Sequence, residues 1–278
     1  MKKNVVFILL TAFFAACTNE NVTSEATTNN LALSPSKNQV VNKATNNKLA
    51  TPSNIQVNAA GTVINFSGYS WTVTETPTTR QEPGPNYFSG GSAYVDASGF
   101  LHLKARKTGN YWTCGQVVLN QKLGHGTYQW KVEGPVNNLD KNVVLGLFNY
   151  NSASPGHDEI DIEFARWGYA TNRILNYTVW PATGVTASNV TFNQDFTMAG
   201  NFSTHRFKWA SKSINFKSLY GFQDGDTNLF ASKSWSAPTS ISTTAMPVIM
   251  NLWLFNAVPP VNGQDVEIII HEFKYIPL

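Results

Sequence analysis

Short segments in which apolar and polar residues alternate constrain the fold of this chain more than any other feature. In the segment TYQWKVE at residues 127–133, the Tyr, Trp and Val side chains share one face and the polar side chains share the other. Residues 100–105, 205–209 and 265–270 show the same alternation. A period of two residues is typical of a β-strand with one buried face. The pattern therefore predicts an all-β fold.

Turn signals separate these predicted strands. Clusters of Gly, Asn and Asp occur at residues 96–99 and 221–226, where they are typical of a chain reversal. Aromatic residues are frequent (13%), charged residues are few (13%), and long helical periodicities are hard to find. Many short strands within residues 54–278 predict one domain built as a sandwich of two packed β-sheets.

The first 17 residues, MKKNVVFILLTAFFAAC, have the organisation of a bacterial lipoprotein signal peptide. Two Lys precede an apolar run that is shorter than the ~20 residues of a membrane-spanning helix. The tetrapeptide FAAC ends at Cys17, in the place of a lipobox, so we expect this cysteine to carry a lipid. An ordinary cleaved signal peptide with an incidental Cys is the alternative. The predicted location is the bacterial cell envelope, at the outer membrane or in the periplasm, or outside the cell if Cys17 is not lipidated.

Residues 18–53 consist largely of Asn, Thr, Ser, Ala and Lys and contain no aromatic residue. Such a segment cannot bury enough apolar surface to offset its ordering entropy, so we predict a flexible tether. Cys114 is the only other cysteine, which leaves no partner for an intramolecular disulfide if Cys17 is lipidated.

The charge distribution argues against a nucleic-acid partner. The formal net charge of +3 resides in residues 1–53, which hold five Lys and two Glu, and the remaining residues hold 15 basic and 15 acidic side chains. The predicted domain therefore has no excess of positive charge to bind a polyanion. The five His show no spacing of metal ligands, and no Gly-x-Ser-x-Gly motif supports a serine hydrolase. The sequence predicts no metal site from spacing and no required cofactor.

An acidic strand is the strongest functional signal. Residues 156–168 read GHDEIDIEFARWG, and on a strand Glu159, Asp161 and Glu163 line one face while the apolar residues between them line the other. A merely solvated face is one alternative, but neighbouring carboxylates on a strand repel and no Lys or Arg is interleaved with them. A Ca²⁺ site is another, but side chains on a flat strand make a poor cage for a cation. Catalysis is the favoured interpretation.

Paired carboxylates suit the hydrolysis of glycosidic bonds. One carboxylic acid protonates the leaving oxygen, and the other carboxylate attacks the anomeric carbon or activates a water molecule. The Cα atoms of Glu159 and Glu163 are ~13 Å apart on a strand. Side chains that lean together on a concave strand could approach the ~5–5.5 Å of a retaining enzyme, but the ~6.5–9.5 Å of an inverting enzyme is also within reach. Spacing alone leaves the stereochemistry open.

The string HDEIDIEF at residues 157–164 resembles the motif of glycoside hydrolase family 16, which includes lichenases, laminarinases and xyloglucan-active enzymes. The similarity extends over residues 85–278. It implies a β-jelly roll of two curved antiparallel sheets with a sugar-binding cleft on the concave face. It also implies a retaining double displacement in which Glu159 is the nucleophile, Glu163 the acid/base and Asp161 an assisting carboxylate. Members of the family often carry a structural Ca²⁺, so the resemblance makes such a site possible here.

The catalytic string has no extra residue before its last Glu, as in lichenases and xyloglucan-active enzymes. This form favours an endo-acting enzyme on a β-glucan with 1,4-linkages, either mixed-linkage β-1,3-1,4-glucan or xyloglucan. Val118 and Ile174 are apolar where a lichenase pattern would have Arg and Gln, so the sugar preference stays open. Two alternatives remain: a non-catalytic carbohydrate-binding lipoprotein and a transglycosylase. The expected partner is a polysaccharide, the expected membrane contact is the N-terminal lipid alone, and the expected state is a monomer.

Aromatic side chains stack on the apolar faces of sugars while polar groups bind the hydroxyls. We expect such residues to lie near the acidic strand, and the candidates are Trp112, His157, Trp167, Asn176, Trp180, Asn251 and Trp253. The alternation around Trp130 and Trp209 places those two side chains in the predicted core instead.

Overall fold

The computed structural model describes residues 61–236 and 240–278. The predicted signal peptide (1–17) with Cys17 and the predicted tether (18–53) lie outside these residues and remain predictions. No helix among the described residues has both the length and the hydropathy needed to cross a membrane.

The described residues form sixteen β-strands and two short 3₁₀ helices. The helices are Gly90–Ser92 and Phe255–Ala257. The strands are β1 Val63–Phe66, β2 Tyr69–Val73, β3 Tyr87–Phe88, β4 Ala93–Val95, β5 Leu101–Thr108, β6 Tyr111–Leu119, β7 Gly126–Glu133, β8 Val143–Tyr150, β9 Glu159–Phe164, β10 Leu175–Val179, β11 Val190–Gln194, β12 Phe202–Ala210, β13 Ser213–Tyr220, β14 Leu229–Ser236, β15 Val248–Leu254 and β16 Val266–Pro277.

Two antiparallel sheets face each other across the core, which confirms the predicted jelly-roll class. The front sheet has the order β11-β10-β9-β8-β15-β6-β2-β1, and the back sheet has the order β14-β13-β12-β7-β16-β5-β4. Short strand β3 runs parallel to β6, whereas every other pair of described strands is antiparallel. The acidic strand β9 lies inside the front sheet, with β8 on one side and β10 on the other.

Strand β6 belongs to both sheets, so the hydrogen bonding is continuous between them. Its first half pairs with β5, where Cys114 lies opposite Ala105, and its second half pairs with β15, where Gly115 lies opposite Leu252. A Cβ atom on Gly115 would lie 2.1 Å from the carbonyl oxygen of Ser92. The close approach of backbones at this crossing therefore requires glycine.

The core contains the apolar faces that the alternation predicts. Trp130 and Trp209 are both 0% exposed, which confirms their assignment to the core. The ring of Tyr128 stacks on that of Phe207 with centroids 4.9 Å apart. From β9, Ile160, Ile162 and Phe164 all enter this core. Because side chains alternate along a strand, the carboxylates of β9 must point to the opposite, concave face of the front sheet.

A polar network also lies in the core. The Tyr177 hydroxyl donates to Ser218 Oγ (2.6 Å), and His205 bonds Ser218 Oγ through Nδ1 (2.7 Å) and Ser203 Oγ through Nε2 (2.8 Å). Burial lowers the pKa of His205 to about 3, so this imidazole is neutral in the folded protein.

Candidate active site

The register of β9 with its neighbours builds the floor of the site. On the β8 side, Glu159 lies opposite Tyr150, Asp161 opposite Phe148 and Glu163 opposite Gly146. On the β10 side, Asp161 lies opposite Thr178 and Glu163 opposite Asn176. Both ladders run through β9 without a register shift. Asp161 and Glu163 therefore have a defined neighbour on both sides, and Glu159 has one on the β8 side.

A cleft of about 470 Å³ crosses the concave face from β9 over β8 and β15 to β6. Glu159 and Glu163 both line it. The other lining residues are Glu82, Pro83, Gln116, Val118, Phe148, Tyr150, Ser152, Pro247, Ile249, Asn251 and Trp253. None of these described lining residues is Lys, Arg or His, so the cleft carries negative charge without a basic partner.

Asp161 is the most deeply buried of the three carboxyl groups, at 3% exposure. The indole Nε1 of Trp180 donates a hydrogen bond to its Oδ2 (3.1 Å). Its Oδ1 has no hydrogen-bond partner within 3.5 Å among the described residues. Burial, followed by the negative charges of Glu159 and Glu163, raises the pKa of Asp161 well above its ordinary value. The raised pKa favours the acid form of Asp161, and in that form its hydroxyl can donate a hydrogen bond to the Glu159 carboxylate.

The two glutamates have pKa values near neutrality. Burial raises the pKa of Glu159 to about 7, and the hydrogen bond from Asp161 opposes that rise because it stabilises the carboxylate. Burial, followed by the charge of Glu159, raises the pKa of Glu163 to about 8. The environments thus order the two groups so that Glu159 ionises before Glu163 as the pH rises. A nucleophile and a general acid require that order.

Asn251 reaches the same face from β15. It is 1% exposed, and its Nδ2 donates to Gln116 Oε1 (3.1 Å), while Gln116 Nε2 donates to Thr74 Oγ1 (2.9 Å). Asn251 Oδ1 is buried without a partner among the described residues. Gly146 lies between Asn251 and Glu163 in the sheet, and a Cβ atom there would lie 2.5 Å from Asn251 Oδ1. The absence of a side chain at position 146 keeps the floor open.

Aromatic side chains form one end of the cleft. Trp253, only 7% exposed, lines the cleft and contacts the ring of Trp167 at a centroid distance of 6.3 Å. The Phe255 ring packs against both, at 6.5 Å from Trp253 and 5.8 Å from Trp167. The structure thus brings together Trp253 and Trp167, which the sequence predicted separately as sugar-binding residues.

The other candidate binding residues differ in their relation to the cleft. Trp180 contacts Asp161, as described above. Asn176 lies beside Glu163, but its Nδ2 donates to the carbonyl oxygens of Ala165 (3.0 Å) and Ile174 (3.1 Å), so its amide group supports the backbone.

His157 and Trp112 lie outside the cleft lining. His157 Nδ1 is 3.3 Å from the carbonyl oxygen of Pro155, in the turn before β9. The turn before β6 ends at Asn110 and the strand begins at Tyr111, so Trp112 is a strand residue. It lies opposite Lys107 of β5. Neither residue is among those that line the cleft.

Asp158 is a supporting residue that the sequence reasoning did not single out. It is 1% exposed and accepts hydrogen bonds from Thr183 Oγ1 (2.5 Å), Thr183 N (3.2 Å) and Asn151 Nδ2 (3.2 Å). Burial would raise the pKa of Asp158, but the hydrogen bonds from Thr183, Ser242 and Asn151 lower it. Asp158 thereby holds the segment after β10, which begins with Trp180, against the start of β9. Its position in the acidic string, out of phase with the other three, is the signal that could have identified it.

A metal site does not emerge from the described side chains. Within residues 61–236 and 240–278, no group of three or more His, Cys, Asp or Glu side chains is placed to hold a metal ion. The structural Ca²⁺ that the family resemblance makes possible stays a prediction.

Comparisons with known proteins agree with this geometry. The family model for glycosyl hydrolases family 16 matches residues 85–259. No curated protein matches the chain. Among solved structures, a Bacillus licheniformis β-glucanase has a TM-score of 0.58 at 21% identity, over 77% of this chain and 95% of its own.

Two further solved structures are similar. A Mycobacterium tuberculosis protein described as an immunostimulatory antigen and pseudo β-1,3-glucanase has a TM-score of 0.57 at 18% identity, over 80% of this chain and 96% of its own. A Bacteroides ovatus mixed-linkage glucan enzyme in complex with a G4G4G3G product has a TM-score of 0.53 at 14% identity, over 74% of this chain and 94% of its own. At these identities the likeness establishes the fold.

Proposed function

Given that the chain belongs to glycosyl hydrolases family 16, we propose that it is a retaining, endo-acting β-glucanase that cleaves by double displacement. The observation that carries the proposal is the cleft in which Glu159 and Glu163 share one face of β9 with the buried Asp161 between them. Two carboxyl groups with ordered pKa values supply both the attacking group and the proton donor that glycoside cleavage requires.

In the first step, the ionised Glu159 carboxylate attacks the anomeric carbon and forms a covalent ester with the sugar. The glycosidic C–O bond breaks, and the leaving oxygen takes the proton of Glu163. In the second step, Glu163, now ionised, accepts a proton from water, and the resulting hydroxide attacks the anomeric carbon. The ester bond to Glu159 breaks, which restores both groups and the original anomeric configuration.

Asp161 supports Glu159 in this scheme. Its hydrogen bond to the Glu159 carboxylate keeps the nucleophile ionised at a pH where burial would favour the acid form. Glu159 must be ionised and Glu163 protonated at the same time, so we expect kcat/KM of the free enzyme to be highest between pH values of about 7 and about 8. The acidic and basic limbs of this pH profile report the titration of the coupled carboxyl groups together.

Three observations support a neutral β-glucan as substrate. The described lining of the cleft contains acidic, amide and aromatic side chains but no basic one, which suits an uncharged polymer. Strand β9 has no bulge, in agreement with the form of the motif that favours mixed-linkage β-1,3-1,4-glucan or xyloglucan. Two of the similar structures are described as a β-glucanase and as a mixed-linkage glucan enzyme.

A non-catalytic glycan-binding role is the second candidate, because one similar structure is described as a pseudo β-1,3-glucanase. The presence of all three carboxyl groups favours catalysis in this chain. A transglycosylase would use the same first step, with a sugar hydroxyl in place of water in the second.

The decisive test uses the full chain on mixed-linkage glucan, xyloglucan and laminarin, with analysis of the released oligosaccharides. We expect internal cleavage with retained configuration and a loss of at least about 10³-fold in kcat for Glu159→Gln. Azide should rescue Glu159→Ala and give an α-glycosyl azide, because it attacks from the face of the missing nucleophile. With an activated leaving group, azide should rescue Glu163→Ala and give the β-product. Retained activity in Glu159→Gln, or the same azide anomer from both variants, would refute the assignment.

We also propose that the enzyme is anchored to the cell envelope through a lipid on Cys17. Cells fed labelled palmitate should label the wild-type chain and leave Cys17→Ser unlabelled. Equal labelling, or none in either chain, would contradict the proposal.

A further inference from the structure

A small hairpin at residues 81–86 borders the cleft on the side opposite the acidic strand. Gln81 and Asn86 exchange two backbone hydrogen bonds, N to O, of 2.8 Å and 2.7 Å. The Asn86 side chain ties the hairpin to the front sheet, since its Nδ2 donates to the carbonyl oxygens of Pro83 (2.8 Å) and Leu254 (2.9 Å). Asn86 is 2% exposed, so the base of the hairpin is buried and fixed.

Gly84 lets this hairpin lie directly on Trp253. Its φ of +109° is in the region that disfavours residues with a side chain. A Cβ atom there would lie 2.7 Å from the Leu254 carbonyl oxygen and 3.0 Å from Cε3 of Trp253. The hairpin therefore packs against the indole that forms the aromatic end of the cleft.

The hairpin presents the carboxylate of Glu82 to the cleft. Glu82 is exposed and lines the same cleft as Glu159 and Glu163. Its Oε2 accepts a hydrogen bond from the backbone N–H of Gly84 (2.6 Å), which orients the side chain. No other hydrogen bond from the described part of the chain reaches this carboxylate, so its remaining acceptor capacity is free for a ligand in the cleft that Glu82 lines.

An oriented carboxylate oxygen beside an indole ring suits a sugar unit, because the ring covers its apolar face and the carboxylate accepts from its hydroxyls. Trp253 belongs to β15, two strands or about 10 Å from β9 across the sheet. The register places it level with Ala165, two residues beyond Glu163 and six beyond Glu159 along the strand direction. We propose that Glu82 is a specificity-determining residue that binds the hydroxyl groups of a glycan unit at a subsite remote from the cleaved bond. This inference rests on the proposed function, because it concerns the same cleft.

Two consequences distinguish this role from catalysis. A remote contact that is equally strong before and during the reaction changes KM and leaves kcat unchanged. Its effect is also confined to glycans long enough to reach from Glu159 to Trp253. Because the residue is an anion in a cleft without a described basic side chain, it further disfavours polymers that carry carboxylate or sulfate groups at that position.

The test compares Glu82→Ala, Glu82→Gln and the control Glu75→Gln in the full chain. Glu75 also accepts a hydrogen bond from a glycine backbone N–H, that of Gly90, but it does not line the cleft. On long β-glucan we expect KM to rise about 10-fold in Glu82→Ala, with kcat and the midpoint of unfolding unchanged. Glu82→Gln keeps an acceptor oxygen and should recover part of the loss, while Glu75→Gln should leave KM unchanged. On the shortest oligosaccharides that are cleaved, all variants should equal the wild type.

Binding without turnover separates this inference from the proposed function. Calorimetric titration of β-glucan oligosaccharides into Glu159→Gln, with and without Glu82→Ala, measures the contact directly. If the wild type cleaves no glucan but Glu82→Ala still weakens binding about 10-fold, the proposed function fails and the inference stands. If the wild type cleaves glucan but Glu82→Ala leaves KM and binding unchanged, the inference is overturned alone. A fall in kcat equal to that in kcat/KM on short and long substrates would also overturn it.

Discussion

Replacement of Glu163, the proposed acid/base, should stabilise the fold at neutral pH, because this carboxyl group holds a proton that the unfolded chain would release. Burial and the charge of Glu159 raise the pKa of Glu163 to about 8, against 4.5 for the free side chain. For a group whose pKa is raised in the folded state, stability is complete below the unfolded pKa and is lost as the pH rises toward the folded pKa. From the unfolded pKa of 4.5 to pH 7 is about 2.5 pH units. At about 1.4 kcal/mol per unit, the raised pKa of Glu163 lowers the free energy of unfolding at pH 7 by about 3 kcal/mol.

The variant Glu163→Gln removes this cost while it keeps the size of the side chain. Since Glu163 retains some exposure to the cleft, solvent screens part of the effect, and we expect a gain of about 2 kcal/mol at pH 7. This corresponds to a rise in Tm of about 4–8 °C for a domain of this size. At pH 4.5 the gain should fall below about 0.5 kcal/mol, because this pH equals the unfolded pKa and only half of the unfolded carboxyl groups are then ionised.

Urea unfolding followed by tryptophan fluorescence, at pH 4.5 and pH 7, measures both quantities. The exposed Glu82→Gln is the control and should change the free energy of unfolding by less than about 0.5 kcal/mol at either pH. If Glu163→Gln is no more stable than the wild type at pH 7, or gains equally at both pH values, the argument from burial is wrong. Enzymatic activity should fall in the same variant, so stability and catalysis would move in opposite directions.

Three other substitutions test separate parts of the structure. Gly146→Ala places a methyl group against Asn251 Oδ1, so kcat/KM should fall about 10-fold and the free energy of unfolding by about 1–3 kcal/mol. Unchanged kinetics would contradict the claim that glycine at position 146 keeps the cleft floor open. Trp180→Phe removes the donor to Asp161 Oδ2, and kcat on β-glucan should fall about 10-fold while the acidic limb of the pH profile moves. Burial lowers the pKa of His205 to about 3, so the wild type should lose about 1.4 kcal/mol per pH unit relative to His205→Asn as the pH falls from 6.5 toward 3. Parallel stability curves for these two proteins would refute the neutral, buried imidazole.

The local periodicity of the chain was sufficient to predict the all-β class and to place the three carboxyl groups on one face of a strand. Side chains on a strand alternate between two faces, so the string at 157–164 places Glu159, Asp161 and Glu163 together whatever surrounds them. The same rule assigned Trp130 and Trp209 to the core, where both are fully buried. These inferences need only neighbours in sequence, which is why they could be made from the sequence.

The tertiary structure decided which residues meet the acidic strand from elsewhere. Gly146 and Asn251 are adjacent on the floor because β8 pairs with β15 in one particular register, and a shift by one residue would turn Asn251 into the core. Glu82 enters the cleft because Asn86 bonds the Leu254 carbonyl group, 168 positions further along the chain. Periodicity carries no information on such long-range pairing.

The electrostatic order of the carboxyl groups also belongs to the tertiary structure. The sequence showed three neighbouring acids on one face of a strand, where their charges repel. Burial by the surrounding sheet and the indole hydrogen bond from Trp180 decide which group keeps its proton and which one ionises first. The chain alone therefore determines what chemistry is available, whereas the packing of distant strands around β9 determines the role of each group, because desolvation depends on the whole fold.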